Sequence, residues 1–521
     1  METLKVYESV SQHFSQNEKR TRKAEENTVM AKTRLSKSTF IRGLQCEKSL
    51  YLYKHHYQLK DPTPTSLQAI FDQGTHIGKL AQGLFPNGAD ASPENHFRIM
   101  ESVRKTMEFI ARGESVIYEA TFFYNDVVAA LDILVKDASG WKAYEVKSST
   151  KVSDTYVKDA AIQYYAITNS GIALQDISIV YINNQYVRNG ELEIDKLFSI
   201  ESVFDRVQDF LPLIPAEIKR LQGVIGQNEA PIIDIGPHCS DPYDCDFKGT
   251  CWAHIPDYSV FDISRLKSTK KFELYRQGII SFDQIDATSV ALNENQRLQV
   301  ESERTGFTHI EAAPIKEFTH ALNFPLYFLD FETIGPAVPI YDGSRPYQQL
   351  VFQYSLHVKN TPRAEIDHFE YLANPEEDPR VKFVEQLIED CGLEGDILVY
   401  NIGFERGKLN DLIDVFPQYS VEISNIIERL KDLMIPFQQK WYYTPEMKGS
   451  YSIKYVLPAL VPELSYNSLD IKEGGTASNT FLSMVNGTFT GDTNTVRGQL
   501  KEYCKMDTFA MVKILEKLQV I

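Results

Sequence analysis

The sequence predicts two α/β domains joined by a helical connector. Three observations carry this. A chain of 521 residues exceeds one ordinary core and allows two to four domains at roughly 150 residues each. Alternating runs rich in β-branched and aromatic residues cluster near 115–183 and near 321–400, and helical patterning accompanies both. Between the two clusters, 256–320 reads as a series of short helices.

Composition narrows the class. Hydrophobic content of 43% and charged content of 24% are those of a soluble globular protein. No uninterrupted apolar run is long enough to cross a bilayer, so no membrane partner is expected. The opening METLKVYESVSQHF lacks a basic region followed by an apolar core, which is not a secretion signal. The expected compartment is the cytoplasm, where structural disulfides are rare. The six cysteines then read as metal ligands or core residues rather than bridges. A formal net charge of −17 argues against broad, nonspecific coating of nucleic acid. It leaves room for a nuclease, because carboxylates that hold cations add negative charge. Any nucleic-acid groove must be local.

Residues 1–34 read as a polar tail, with SQNEKRTRKAEEN at its centre and Met30 as an alternative start. The first domain is expected over 35–255. It opens with a helix through STFIRGLQCEKSLYLYKHH, N-capped by Ser38 or Thr39, and a second helix over 66–84. Strands follow at 115–124, 127–136 and 141–147, with Asp126 and Ser139-Gly140 marking the turns. A helix near 156–168, a strand near 177–183 and a long helix to about 225 lead to a cysteine-rich segment at 239–251. The second domain is expected over 321–521. Its order is β-β-β-α-β-α, from strand PLYFLD through strands near 348–358 and 364–372, a helix at 379–390 and a strand at 396–400.

Asp132 sits inside an apolar strand, and Glu145 and Lys147 end the next. Residues i and i+2 of a strand share a face, so Glu145 and Lys147 point the same way, and Asp132 joins them if the strands pair. Two carboxylates and a lysine on one sheet face suit phosphodiester hydrolysis. The carboxylates would hold Mg2+ or Mn2+ to polarise the phosphate and activate water, and the lysine would orient that water or offset transition-state charge. An isolated E-x-K is more often a surface pair. Here Asp-x12-Glu-Val-Lys across a hairpin resembles the PD-(D/E)xK nuclease superfamily. Gln163 and Tyr165 in DAAIQYYAI resemble the Gln–Tyr motif of its RecB-like branch, at a shorter spacing, and imply substrate contact. His76 in Gly74-Thr75-His76 lies where that branch places a metal-binding histidine.

Cys239, Cys245 and Cys251 form C-x5-C-x5-C, and Cys46 lies far upstream. Thiolates suit zinc or iron–sulfur clusters. Zinc sites usually show close C-x2-C pairs, which are absent here. One remote cysteine plus three near the domain's end resembles the RecB-like nucleases that carry a 4Fe-4S cluster, although their common spacing is C-x2-C-x5-C. Cys391 and Cys504 read as packing residues.

Asp330 and Glu332 close the first strand of the second domain on one face. Buried carboxylates there need a cation or donor. Tyr503 and Asp507 are four apart on a helical pattern and so lie one turn apart. A further acid, Glu405, follows Asn401 and Phe404 in NIGFERGKL. Four acids suit two cations, with a tyrosine to orient water. Asp-x-Glu, then Asn-x2-Phe-acid, then Tyr-x3-Asp resembles the DEDDy exonucleases of the DnaQ-like, RNase H-fold group. That group usually has Asp where Glu405 stands.

The whole chain resembles bacterial proteins that fuse a RecB-like, iron–sulfur nuclease domain to a DnaQ-like domain recorded as of unknown function. The resemblance implies a restriction-endonuclease-like core plus an RNase H-like fold, and metal-dependent, exonucleolytic hydrolysis of DNA in repair, processing or defence. The alternative is a nucleic-acid-binding or iron–sulfur scaffold protein with one or both sites inactive. No GxxxxGK[ST] loop occurs, so a helicase or other motor would have to be a partner.

Overall fold

The computed structural model describes residues 33–521 apart from 96–97 and 286–289. Most of the polar tail expected over 1–34, including Met30, lies outside the described residues. The chain divides into two compact units. The first holds the residues up to Thr63 together with Ile70–Asn184 and Leu192–Ala253, and the second holds Pro64–Ala69, Gln185–Glu191 and His254–Ile521. The stretch expected as a connector, 256–320, clusters with the second unit. Both units are mixed α/β. Among the described residues no helix is long and apolar enough to cross a membrane.

The first unit runs β1 (Leu35–Ser36), α1 (Lys37–Gln45), α2 (Glu47–His55), α3 (Thr65–Ala81, from Ile70 onward), β2 (Ala89–Asp90), α4 (Ile99–Arg112), β3 (Val116–Tyr124), β4 (Val127–Asp137), β5 (Gly140–Lys147), α5 (Asp154–Asn169), β6 (Leu174–Ile182), β7 (Phe198–Ser202), α6 (Phe204–Phe210) and α7 (Ile214–Ile225). Its sheet order is β2-β3-β4-β5-β6-β7, with β1 paired to β4. Strands β3, β4 and β5 form an antiparallel meander. Asn125 and Asp126, both at positive φ, close the first hairpin with the two-residue geometry that matches strand twist. Strand β6 returns parallel to β5 through α5, whose Val157, Ala160, Ala161, Ile162 and Ala166 are buried. The two adjacent alanines let this helix lie close on the sheet.

Three expectations are corrected here. The helix expected through STFIRGLQCEKSLYLYKHH breaks at Cys46, which is extended at φ −160 and ψ 116. Its N-cap is Ser36, not Ser38 or Thr39; the Ser36 side chain accepts from the Thr39 N–H, and the Thr39 hydroxyl accepts from Ser36 N–H. That reciprocal pair is a capping box, with Thr39 in the place usual for Glu or Gln. The long helix to about 225 is two, α6 and α7.

In the second unit, α8 (Ser268–Arg276), α9 (Glu294–Thr305), β8 (His309–Ile310) and α10 (Ala312–His320) precede β9 (Leu326–Ile334). Then come β10 (Leu350–Lys359), β11 (Ile366–Leu372), α11 (Arg380–Cys391), β12 (Asp396–Val399), α12 (Ile402–Val415), α13 (Ser420–Glu428), β13 (Leu430–Asp432), α14 (Ile453–Leu460), α15 (Gly474–Val485) and α16 (Thr493–Leu518). The five-stranded order is β11-β10-β9-β12-β13, with β10 antiparallel to both neighbours and β9, β12 and β13 mutually parallel. Strand β9 alternates between two cores. Leu326, Phe328 and Ile334 pack with α14, α15 and α16, whereas Tyr327, Leu329 and Phe331 pack with α11, α12 and α13. Asp330 and Glu332 follow the even-numbered set and therefore face α16.

Candidate functional site

In the first unit the strands fork at the acids. Tyr118 pairs with Ile133 and Ala120 with Leu131, so Glu119 stands opposite Asp132 across β3 and β4. Strand β5 joins β4 only from Ile133–Tyr144 onward, so the next step in register is Asp132 opposite Glu145. There the ladder ends, and Val146 N–H donates to Asp132 Oδ2 at 2.6 Å instead of to backbone. Lys147 Nζ donates to Glu145 Oε1 at 2.7 Å and to Asp159 Oδ2 at 2.6 Å. Lys37 Nζ donates to the same Glu145 oxygen at 2.6 Å. Glu145 is buried, and its Oε2 has no hydrogen-bond partner among the described residues.

Burial, then the Glu145 charge, push the Asp132 carboxyl well up. Burial alone would also raise Glu145, but the Lys147 and Lys37 ammoniums outweigh it and hold it low. Lys147 is held above its ordinary value by Glu145 and Asp159 against its own burial. This split gives one protonatable and one firmly ionised carboxylate side by side.

The accessory residues are less gathered. His76 is exposed on α3; this helix passes the end of β5, since a Cβ on Gly74 would lie 3.9 Å from Ser148 Oγ. The structure does not bring His76 into a tight ligand set with Asp132 and Glu145. Gln163 is fully buried on α5, one turn from Asp159, with neither amide atom partnered among the described residues. Tyr165 packs its ring edge-on to Tyr124, with centroids 5.7 Å apart. Asp159 and Lys37 escaped the sequence reading. Asp159 carried a signal, its spacing of four from Gln163. Lys37 carried none, because β1 places it.

The four cysteines line one small pocket with Lys48, Ser49, His238 and Trp252 among its walls. All are free thiols. Burial raises the Cys46 and Cys251 thiols, and the facing Cys239 and Cys245 raise them further. Tetrahedral zinc, with Zn–S near 2.3 Å, needs thiolates about 3.8 Å apart. Among the described residues no three of these sulfurs lie within 4.8 Å of one another. The sulfurs are therefore not gathered at the spacing of a tetrahedral zinc site. Polar ties draw the cysteine loop onto α1 and α2. Arg42 donates to both carboxylate oxygens of Asp246 at 2.6 and 3.0 Å, and Gln45 Nε2 donates to the His238 and Tyr243 carbonyls.

In the second unit, one carboxylate oxygen from each of Asp330, Glu332 and Asp507 lies within 4.8 Å of the other two. Among the described residues this is the one group of three potential ligands so tightly gathered. Tyr503 and Asp507 share a face of α16, and both line a pocket of about 380 Å3 with Asp330, Glu332, Asn401, Tyr451 and Lys454. Tyr466 Oη donates to Asp507 Oδ1 at 2.6 Å. Lys454 Nζ lies 5.6 and 5.4 Å from the ring centroids of Tyr466 and Tyr503. A Cβ on Gly474, at the start of α15, would come 3.5 Å from Glu332 Oε2 and 3.7 Å from Tyr503 Oη, so that helix end closes on the site.

Burial, then the neighbouring carboxylates, raise Asp330 and Glu332; burial raises Asp507, partly relieved by the Tyr466 hydrogen bond, by Lys454 and by Tyr503. Like charges this close cannot all ionise without a compensating cation. Burial, then the neighbouring carboxylates, also hold the Tyr503 and Tyr466 phenols well above their ordinary range, so both stay donors.

Glu405 stands apart from this group. It is 1% exposed in the first turn of α12, raised to about 8 by burial and the Asp432 charge, and its Oε2 has no partner among the described residues. Its charge still reaches Asp330. Asp432 accepts from the Asn401, Ile402 and Met434 N–H groups and so ties the start of α12 to β13. That engagement occupies both of its carboxylate oxygens. Cys504 is buried as expected, and its Sγ lies 3.9 Å from both Asp330 O and Asp330 Oδ2. Tyr466, Lys454 and Gly474 escaped the sequence reading, since each lies in a segment with no motif of its own.

Fold and sites together define an α/β protein with an acidic cluster in each unit, the second lining a pocket, and a cysteine pocket. The family described as "Domain of unknown function (DUF2779)" matches residues 327–452, a stretch that holds Asp330, Glu332 and Glu405 and stops before Tyr503 and Asp507. An uncharacterized protein of Ureaplasma parvum serovar 3, UU173, is 30% identical over 180 residues, 32% of this chain and 26% of that protein. An uncharacterized protein of Mycoplasma genitalium, MG366, is 27% identical over 213 residues, 37% of this chain and 32% of that protein. The Mycoplasma pneumoniae homolog of MG366 is 29% identical over 206 residues, 36% of this chain and 31% of that protein. The chain spans about a quarter to a third of the length of these curated relatives.

Proposed function

We propose that the chain is a metal-dependent nuclease, with a RecB-like PD-(D/E)xK domain and a DnaQ-like domain of RNase H-like fold. The observation that carries this is the convergence of Asp330, Glu332 and Asp507, from a central strand and a C-terminal helix, on one pocket beside Tyr503. The strand order third-second-first-fourth-fifth, with only the second strand reversed, supports the RNase H-like reading. In the first unit the meander, the crossover helix and the Asp132–Glu145–Lys147 fork support the PD-(D/E)xK reading.

Asp330, Glu332 and Asp507 would hold Mg2+ or Mn2+ in the second unit, and Asp132 and Glu145 would hold one in the first. The bound cation supplies Lewis-acid polarisation of the phosphate and a lowered pKa for attacking water. The chain's own residues do the rest. Tyr503, kept protonated, donates a hydrogen bond that orients water at the second site. Lys147, kept charged by Glu145 and Asp159, offsets negative charge on the phosphate at the first. The cysteine pocket would hold a 4Fe-4S cluster that fastens the helix pair at the start of the first unit to its cysteine loop. Free thiols and such a cluster suit a reducing compartment, the cytoplasm. The substrate is end-exposed DNA, in repair, processing or defence, with any helicase motor supplied by a partner.

A second reading rests on one observation. Glu405 lies outside the triad, so the second site would hold cation and nucleic acid while cleaving poorly.

The test uses anaerobically purified protein with end-labelled single- and double-stranded DNA and RNA in Mg2+ or Mn2+. Wild type is compared with Asp132→Ala, Asp507→Ala and the double variant. Cleavage lost in one single variant assigns the activity to that unit. Binding without cleavage of any substrate would favour the second reading. Iron and inorganic sulfide are measured on the same sample, and stoichiometric zinc would overturn the cluster.

A further inference from the structure

Lys37 has no role in the chemistry above, yet it sits on its central carboxylate. Two ammoniums, Lys37 and Lys147, share Glu145 Oε1 at 2.6 and 2.7 Å. The other oxygen, Oε2, is buried with no partner among the described residues. An unpartnered carboxylate oxygen in a buried site carries a desolvation cost, and a cation placed there would relieve it.

The two lysines are not equivalent. Lys147 is held twice, by Glu145 and by Asp159 at 2.6 Å. Lys37 has its short contact with Glu145 alone. Its side chain is 28% exposed, against 18% for Lys147. Its backbone is fixed, because β1 pairs with Val127 and Val128 of β4 on the edge that β5 vacates, and the Ser36 capping box starts α1 there. So Lys37 is anchored at the fork by its backbone and carries a long, partly exposed side chain. A divalent cation on Glu145 would repel this ammonium at short range and low dielectric. Glu119 on β3, opposite Asp132 and charge-coupled to Lys37, is a further carboxylate within reach of its charge. Glu119 is a non-glycine residue at φ 54, and the Ser102 and Thr121 hydroxyls donate to its carbonyl. Such a conformation is costly and persists where the surroundings fix it. The amino end of α1 adds its partial positive charge at the same place.

We propose that Lys37 is a substrate-binding residue of the first-unit site: it neutralises Glu145 while no divalent cation is bound, and on cation binding it leaves that carboxylate and holds a phosphate of the nucleic-acid chain. This rests on Asp132 and Glu145 being cation ligands. Lys37 then couples the two binding events, because removing it from Glu145 prepares the cleft for a polyanion.

The test uses the full chain carrying Asp507→Asn, which silences the second site. Mn2+ binding is measured by calorimetry, and binding of a short single-stranded DNA by fluorescence anisotropy in Ca2+. Lys37→Met should bind Mn2+ several-fold more tightly, since the competing ammonium is gone. It should bind DNA about tenfold more weakly, with a salt slope smaller by about one, as for loss of one phosphate contact. Lys37→Arg should keep DNA affinity within about threefold. Unchanged or weaker Mn2+ binding by a folded Lys37→Met variant would overturn the proposal, and so would unchanged DNA affinity. Should that variant fail to fold, reductive methylation of the parent read by mass spectrometry decides. Labelling of Lys37, but not of Lys147, should rise on adding Mg2+ and fall again with DNA; no rise overturns it. If Asp132→Ala binds Mn2+ as the parent does, the ligand reading itself fails, and Lys37 with it.

Discussion

Three carboxylate oxygens within 4.8 Å repel strongly, and burial removes the water that would screen them. In the second unit, burial raises Asp330, Glu332 and Asp507, and neighbouring carboxylates raise the first two further; Glu405, outside that group, is raised by burial and the Asp432 charge. Asp507→Asn tests this at one atom. The amide oxygen can still accept from Tyr466, so the hydrogen bond survives while the charge goes. The expected variant melts no lower than wild type in EDTA, loses the second-site share of the melting increase given by Mn2+, and loses about two orders of magnitude in the cleavage belonging to this unit. Lys147→Met should divide differently. Cation binding at Asp132 and Glu145 should persist, while first-unit cleavage falls by a similar factor.

The raised acids also fix a pH dependence. A folded-state pKa above the unfolded one means that the folded chain holds protons the unfolded chain has released, so cation-free stability falls as pH rises through that window. For Glu405 the window runs from 4.5 to about 8. His357, lowered from 6.5 to about 3 by burial, has the opposite slope below pH 6.5. The carboxylates are therefore isolated between pH 6.5 and 8. Melting temperature in EDTA should fall across that interval, and Glu405→Gln should flatten the fall. A curve that is no flatter for the variant would remove Glu405 from this account.

At the scale of elements, the cysteine pocket is the least self-sufficient feature. Cys46 interrupts what would otherwise be one helix, and the loop carrying Cys239, Cys245 and Cys251 has little regular structure beyond short turns. Its fastening is polar, through Arg42, Gln45 and Asp61. Cys46→Ala should therefore lower iron content and open the loop over 233–252 to proteolysis, with the sheet of the first unit intact by circular dichroism. Full protection of that loop without iron would mean that the polar ties suffice. Local pattern made much of this unit readable. Period-two alternation located β3, β4 and β5, and placed Glu145 and Lys147 on one face. Tertiary pairing hid the rest. Ser36 caps α1 because two residues of β1 join β4, which no window around Ser36 reveals. Lys37 reaches Glu145 across 108 residues, and Tyr466 reaches Asp507 across 41. Glu405 shows how spacing leaves exact placement open. Its spacing from Asn401 matched a ligand, but α12 begins with Asn401 in a left-handed turn held by Asp432, and this start leaves Glu405 outside the triad.

Across the whole molecule, each unit has its own core and its own acidic site. Residues from β3, β4, α5 and α7 form one continuous apolar cluster; in the second unit β9 separates two more, and residues between Val260 and Val300 form another. Independent cores predict independent unfolding. Cations that bind only folded sites should raise the melting of each unit by mass action, and separately. Scanning calorimetry of the full chain should thus resolve two transitions in EDTA, both moved upward by Mn2+. Asp507→Asn should cancel the shift of one transition and Asp132→Asn that of the other. The proposed cluster would add a third handle, since oxidative loss of its iron should lower only the transition that Asp132→Asn affects. A single cooperative transition, responding to both substitutions alike, would mean that the units share stability and that neither site can be assigned by its own knockout. Two transitions with crossed responses to metal, acid substitution and iron loss would give each proposed chemistry its own address in the chain.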